Sequence, residues 1–238
     1  MFGHDLADEP RLAKQMVGFV PQELVNHGFF SIEEIMNFHS GYYGIGKNKE
    51  RIDYLLHRLS LYEHKDKRVK QLSGGMKRRL SIAKSLVHSP KLLLLDEPTA
   101  GVDIELRASL WEFVEDLKKD GVTILLTTHY LEEAESLCDR VGFLQQGQLV
   151  KVGQTKALIQ DLTSREVIIK VGKMKHNISH PLLVNQTSDE LVFKIPSEMN
   201  LGTLLSEAKI EMAQLEDVRI QEGSLEDAFR TVMAEGRS

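Results

Sequence analysis

The chain has 238 residues, with 30 Lys and Arg against 35 Asp and Glu, a formal charge of −5 and a pI near 6.0. A composition of 42% hydrophobic and 27% charged residues excludes a disordered chain, and the length suits one large domain or a domain with a small appendage. Its apolar runs, such as Leu92 to Leu95, stop at four or five residues, against the roughly 20 that a helical membrane span requires. The acidic balance argues against general nucleic-acid binding. The opening MFGHDLADEP has neither the basic nor the apolar region of a signal peptide. The single cysteine, Cys138, cannot form an internal disulfide and fits a reducing compartment. Together these predict a soluble, intracellular, core-forming protein.

Short apolar runs alternate with longer amphipathic ones, the pattern of an α/β fold. Met16 to Val20 reads as a strand stopped by Pro21. Ser31 with Glu34 forms a capping box, predicting a helix with Ile32, Ile35, Met36 and Phe38 inward. Asn48 to Leu61 predicts a second helix, with Ile52, Leu55, Leu56 and Leu59 on one face. Ser73-Gly74-Gly75 opens a third, whose apolar residues are Met76, Leu80, Ile82, Ala83 and Leu86. Lys91 to Leu95 and Val122 to Thr127 read as strands buried on both faces of a parallel sheet. The helix between them carries Leu106, Leu110, Phe113, Val114 and Leu117 and closes at Gly121, giving a strand–helix–strand crossover. After Val150 the texture changes. Residues 154–162 predict a short helix, followed by strand-like pieces at Val167–Ile169 and Leu191–Phe193 and two short helices, the last from Ser224 to about Met233. This is a small α+β appendage of about 75 residues without motif chemistry.

Two places carry chemistry. Asp96-Glu97-Pro98 follow the Leu92–Leu95 strand, at the sheet edge where α/β proteins bind ligands. Adjacent carboxylates there point to opposite sides, one available to a magnesium ion and the other to a water, although a solvated strand end has the same residues. Leu72-Ser73-Gly74-Gly75-Met76 exposes backbone N–H groups at a helix start and suits phosphate, although a glycine-rich turn with a Ser cap reads the same way.

Taken in order, Gln22, the Leu72–Met76 turn, Asp96-Glu97, Asp103 and His129 resemble the ATP-binding subunits of ABC transporters. They correspond to the Q-loop, the LSGGQ signature (here LSGGM), the Walker B motif, the D-loop and the switch histidine. The run LSGGMKRRLSIAKSLVHSPKLLLLDEPTAGVDIE is similar to the bacterial ABC-2 exporter subgroup, and Glu222 to Phe229 to that subgroup's C-terminal appendage. The resemblance implies a P-loop NTPase-type α/β fold, a mostly parallel sheet with a helical subdomain at about 23–88. The ATPase domain would span 1–153, a linker helix 154–162 and an accessory α+β domain 163–238. It further implies Glu97 and His129 as catalytic residues. Gln22, Leu72, Ser73, Gly74, Gly75, Met76 and Asp103 would bind nucleotide. Asp96, through water, and Gln22 would meet the magnesium of Mg-ATP. The implied partners are an ABC-2 membrane permease and a second ATPase subunit, with no nucleic acid, on the cytoplasmic face of the membrane.

The family's Walker A loop, G-x-x-x-x-G-K-[ST], lies about a hundred residues before the signature, whereas 72 residues precede Ser73 here. The first strands, the Walker A helix and the adenine-stacking aromatic are therefore expected upstream of Met1. The family usually has Val or Ile at the Met1 position, so a GTG codon read as a start would give this chain, and an in-frame stop upstream would refute that. Gly41 to Asn48 matches all but the last position of the motif, but it follows a helical pattern and reads as a helix–helix connection. A chain without the loop is expected to bind and hydrolyse ATP poorly alone, or to lend its signature in trans to an intact subunit as a non-catalytic partner. A soluble ABC protein acting on DNA or ribosomes is disfavoured, because the 51 residues from Gln22 to Ser73 leave no room for a coiled-coil insertion. Lys65, Lys67, Arg68, Lys70, Lys77, Arg78 and Arg79 surround the signature, either attracting triphosphate or, the preferred reading, as a solvated face. Apolar sheet around Leu92–Leu95 and Ile124–Leu126 would be uncovered. At about 25 cal/mol per Å², a few hundred Å² is worth several kcal/mol, and an aggregation-prone chain is expected.

Overall fold

The computed structural model describes residues 1–23, 28–100, 104–172 and 178–235. They fall into two units, Met1–His129 and Tyr130–Ser238.

In the first unit, α1 (Pro10–Gln15) leads into β1 (Val17–Val20), which ends where Pro21 removes a donor. β1 pairs in parallel with β2 (Leu92–Asp96), and β2 with β3 (Thr123–Thr127), in the order β1-β2-β3. Val20, Leu93 and Leu95 enter the core. The alternate row, Phe19–Leu94–Leu125 in register across the three strands, does not. Phe19 is 56% and Leu125 59% exposed, with Leu94 half-buried. The expectation of strands buried on both faces is corrected accordingly: the described core draws on one face of the sheet only.

Four helices build the other side of that core. α2 (Ile32–Tyr42) starts on the predicted capping box: Ser31 Oγ accepts from the Glu34 N–H at 3.2 Å, and Glu34 Oε2 from the Ser31 N–H at 2.7 Å. Ile32, Ile35 and Met36 are buried, but Phe38 is exposed and packs edge-on against Phe30, with centroids 5.0 Å apart. At 100° per residue, Phe38 lies more than a right angle from the centre of the stripe formed by the other three. α3 (Lys49–Arg58) stops before the predicted Leu61 because Ser60 turns left-handed, at φ 54°, and the Leu61 N–H returns to Leu56 O at 2.8 Å. α4 (Gly74–Leu86) begins on Ser73 as read. Gly41 to Asn48 connects α2 to α3, as expected of a helix–helix link. Asn48 precedes α3 and donates to Val87 O at 2.8 Å. α5 (Ile104–Lys119) joins β2 to β3, burying Leu110, Phe113, Val114 and Leu117 before Gly121 at φ 86°. The side chain of Leu106 lies outside the description.

The second unit contains α6 (Leu131–Leu137), a hairpin of β4 (Arg140–Gln145) and β5 (Gln148–Gln154), and α7 (Thr155–Leu162). Beyond these, β6 (Ser164–Val171), β7 (Leu183–Gln186), β8 (Glu190–Pro196) and β9 (Leu215–Gln221) form an antiparallel sheet in the order β7-β8-β6-β9. α8 (Leu201–Glu207) packs on it through Leu204 and Leu205, and α9 (Leu225–Glu235) shares a separate apolar cluster with Ala134 and Phe143. Only β6, β8, α7, α9 and one further short helix stand out in the sequence; α6 does not. β5 and β9 are exposed along most of their length, so they carry little of the burial pattern that marks a strand. Among the described residues, no helix is long and apolar enough to cross a membrane.

Candidate functional site

The first unit brings Gln22, Asp96, Glu97 and His129 to one sheet edge. β2 ends at Asp96 and the chain turns at once, Glu97 taking φ 42°. A non-glycine residue in this left-handed region costs on the order of 1 kcal/mol. It is held there by the bond from its N–H to Thr127 O at 3.0 Å. The turn separates the two carboxylates. Asp96 accepts a hydrogen bond from the Thr127 hydroxyl on β3. Glu97 is gripped on both oxygens: Gln22 Nε2 donates to Oε2 at 3.0 Å, and His129 Nδ1 lies 3.1 Å from Oε1. The His129 side chain is 57% exposed. The parallel pairing of β1, β2 and β3 delivers all four groups, since each lies at or just after the C-terminal end of its strand.

The signature turn is built as a helix start. Leu72 is buried, while Ser73 and Gly74 are exposed. Ser73 Oγ accepts from the Met76 N–H at 3.2 Å, leaving the other first-turn N–H groups pointing outward. A Cβ built on Gly74 would meet nothing within 4 Å, so the protein's own packing does not require glycine there. Open space over exposed N–H groups is what a phosphate needs. Asp103 lies outside the described residues.

One residue of this region was misread in the sequence. Arg78, counted among the solvated basic residues, is 5% exposed. Its Nε donates to Pro98 O at 2.8 Å, Nη1 to Pro21 O at 2.6 Å and Gln22 O at 3.2 Å, and Nη2 to Asp96 O and Glu97 O at 2.9 Å each. Burial pulls its proton affinity below the ordinary guanidinium value, and the Asp96 charge opposes that. Its neighbour Arg79 is also tied inward, to Leu59 O at 3.1 Å. The missed signal was periodicity: Arg78, Ile82 and Ser85 share the buried stripe of α4.

The ABC transporter family matches residues 1–100. The linearmycin resistance ATP-binding protein LnrL of Bacillus subtilis is 34% identical over 95% of this chain and 77% of its own length. The chain belongs to the ABC transporter ATP-binding proteins. The Nod factor export ATP-binding protein I of Rhizobium etli is likewise 34% identical, over 96% of this chain and 73% of its own. Among solved structures, an ATP-binding subunit of an ABC transporter superposes with a TM-score of 0.62 at 27% identity, covering 68% of each chain. The protein cbiO1 from Clostridium perfringens, part of the ABC transporter complex cbiONQ, gives 0.53 at 31% identity over 61% of this chain and 59% of its own. The P-loop NTPase-type α/β fold of the ABC ATPases is thus the fold of this ABC protein. Membership implies ATP, typically with magnesium, and the donors present fit: hard oxygens of Asp96 and Gln22 beside Glu97. Among the described residues, no group of three or more His, Cys, Asp or Glu gathers into a metal cage.

Proposed function

We propose that this chain is the ATP-hydrolysing subunit of an ABC-2 exporter, docked on the cytoplasmic face of the membrane against a separate permease and paired with a second ATPase subunit. The double grip on Glu97 carries the reading. With one oxygen fixed by Gln22 and the other by His129, the carboxylate is positioned to take a proton from a water. That water attacks the γ-phosphorus as the bond to the bridging oxygen breaks. Asp96 faces away from that task, toward Thr127, and would hold the magnesium through water. Ser73, Gly74 and Gly75, with Leu72 and Met76 seating the turn, meet the nucleotide held by the opposite subunit. The name of the Nod factor export protein supports export, and the resemblance to ABC-2 systems supports the permease.

A second reading rests on a different observation. Among the described residues no glycine-rich loop joins a strand to a helix, Gly41 to Asn48 being a link between helices. In this reading the chain is a non-catalytic partner, and an intact partner subunit supplies the phosphate loop to the site that this chain's signature completes. One experiment separates the two: ATP hydrolysis by the assembled transporter carrying Glu97→Gln or Gly75→Asp in this chain. Loss of turnover by about a hundredfold or more in Glu97→Gln, with ATP still bound, supports the hydrolysing role. Turnover insensitive to Glu97→Gln but abolished by Gly75→Asp establishes the trans role and refutes the first. Insensitivity to both refutes both.

A further inference from the structure

A guanidinium has five N–H bonds in a fixed planar fork, and in Arg78 every one of the three nitrogens is used, making five hydrogen bonds to five different carbonyl oxygens. No carboxylate is among the acceptors. They come from two segments far apart in sequence, Pro21–Gln22 and Asp96–Pro98, and the donor comes from a third, α4, five residues after Ser73. These two segments carry the side chains that meet at the site: Gln22 and Glu97 are joined to each other at 3.0 Å, and the carbonyl of each is held by Arg78. We infer that Arg78 is a positioning residue that locks the backbone beneath Gln22 and Glu97 to the signature helix, so that the phosphate-facing turn of α4 and the carboxylate of Glu97 move as one body.

The physical case has three parts. A buried cation is tolerated only when its charge is answered by hydrogen bonds, and carbonyl dipoles do this here. Removing it leaves five carbonyl acceptors, that of Pro98 buried and the others partly buried, to find other partners, so the arrangement is costly to break. The carbonyls lie one residue or less from the groups they position, with the left-handed turn at Glu97 in the middle. A lysine offers a point charge and three rotating donors in place of the fork, so it holds part of the set and fixes its geometry poorly. The link to catalysis rests on the hydrolytic reading above, whereas the clamp itself does not.

The test uses the full chain with Arg78→Met, which keeps the apolar stem and removes every donor, and Arg78→Lys. Amide hydrogen exchange is followed at Glu97 and Ala100, whose N–H groups donate to Thr127 O and Glu97 O, with Leu55 and Leu56 of α3 as references in the same unit. Arg78→Met is expected to speed exchange at Glu97 and Ala100 at least tenfold and to leave Leu55 and Leu56 within twofold. Arg78→Lys is expected to fall between and covers the case in which the Met variant does not fold. Unchanged exchange at Glu97 and Ala100, or equal acceleration at Leu55 and Leu56, overturns the clamp. In the assembled transporter, Arg78→Lys is expected to lower kcat about tenfold with KM for ATP within twofold; unchanged kcat overturns the catalytic link. A wild-type assembly without turnover counts against the hydrolytic reading, and the exchange result still decides the clamp.

Discussion

Gly18 offers the sharpest test of how the sheet and the signature helix fit together. A Cβ built there would lie 2.3 Å from Ser85 O on α4 and 3.1 Å from both Leu93 Cδ1 and Pro90 Cγ. Ordinary contact begins at 3.4 Å, so Gly18→Ala requires β1 and α4 to separate by about 1 Å. The obstacle is a backbone carbonyl, which no rotamer change can move aside. Overpacking of this kind costs about 1–3 kcal/mol, and a rigid partner puts the cost in the upper half, about 2–3 kcal/mol. Trp111 is the single tryptophan, and it packs against the core of the first unit, so its fluorescence in urea reports that unit alone. With a slope of about 2 kcal/mol per M, the midpoint falls by about 1 M. A midpoint within about 0.2 M of wild type, at unchanged slope, would refute the close approach.

Ser31→Ala removes the side-chain half of the capping box on α2, the acceptor for the Glu34 N–H, and is expected to destabilise the first unit by about 1 kcal/mol; a loss below about 0.3 kcal/mol in the same titration counts against it. His88 stacks on Tyr43 at 3.7 Å, lies 3.0 Å through Nε2 from Val17 O, and has a buried Nδ1 that meets no hydrogen-bond partner among the described residues. Burial is the main cause holding its pKa below 6.5; the Val17 bond opposes this and the Arg51 charge adds to it. The folded state thus binds fewer protons, so the contribution is complete above 6.5 and is lost as the pH falls through the lower folded value. Between about pH 7.5 and pH 5.5, wild type is expected to lose more stability than His88→Gln, and parallel losses would remove His88 from the account. On the open face of the sheet, Leu125→Thr is expected to reduce light scattering on storage while changing stability by no more than about 0.5 kcal/mol. A larger loss of stability would place Leu125 in the core after all.

Much of the site is legible in the sequence because its residues sit where strands and helices must begin or end. Glu97 and Asp96 follow an apolar run, His129 follows another, and Ser73 caps a helix. The local pattern that positions each of them is also the pattern that reveals it. Arg78 is marked only by its place on the buried stripe of α4, which does not say what answers its charge. Its burial depends on carbonyls contributed by Pro21, Gln22, Asp96, Glu97 and Pro98, and no one-dimensional pattern joins those segments. Phe38 and the Phe19–Leu94–Leu125 row show the opposite failure. Apolar residues predict burial by composition, but whether a face is covered depends on what packs there, which the run itself does not specify.

The two close contacts of α4 act together. Arg78 and Ser85 are seven residues apart, just under two turns, so they lie on the same face of the helix about 10 Å from each other. One end of that face is drawn to the sheet edge by five hydrogen bonds, and the other rests directly on the backbone of β1 because Gly18 has no side chain. A helix fixed at two points along one face cannot turn about its axis without breaking both contacts. The signature turn at Ser73 is therefore not free to rotate relative to Glu97. If the helix behaves as such a rigid strut, Gly18→Ala should lift it and loosen the Arg78 bonds before Arg78 is altered. Arg78→Lys should then cost less in the Gly18→Ala background than in wild type. Sites this far apart that share no partner add to within about 0.5 kcal/mol. A double-mutant cycle by Trp111 fluorescence is expected to exceed that, with the double variant more stable than the sum of the single losses. Additivity would mean that α4 bends between Arg78 and Ser85, and the two contacts would then hold separate parts of the fold.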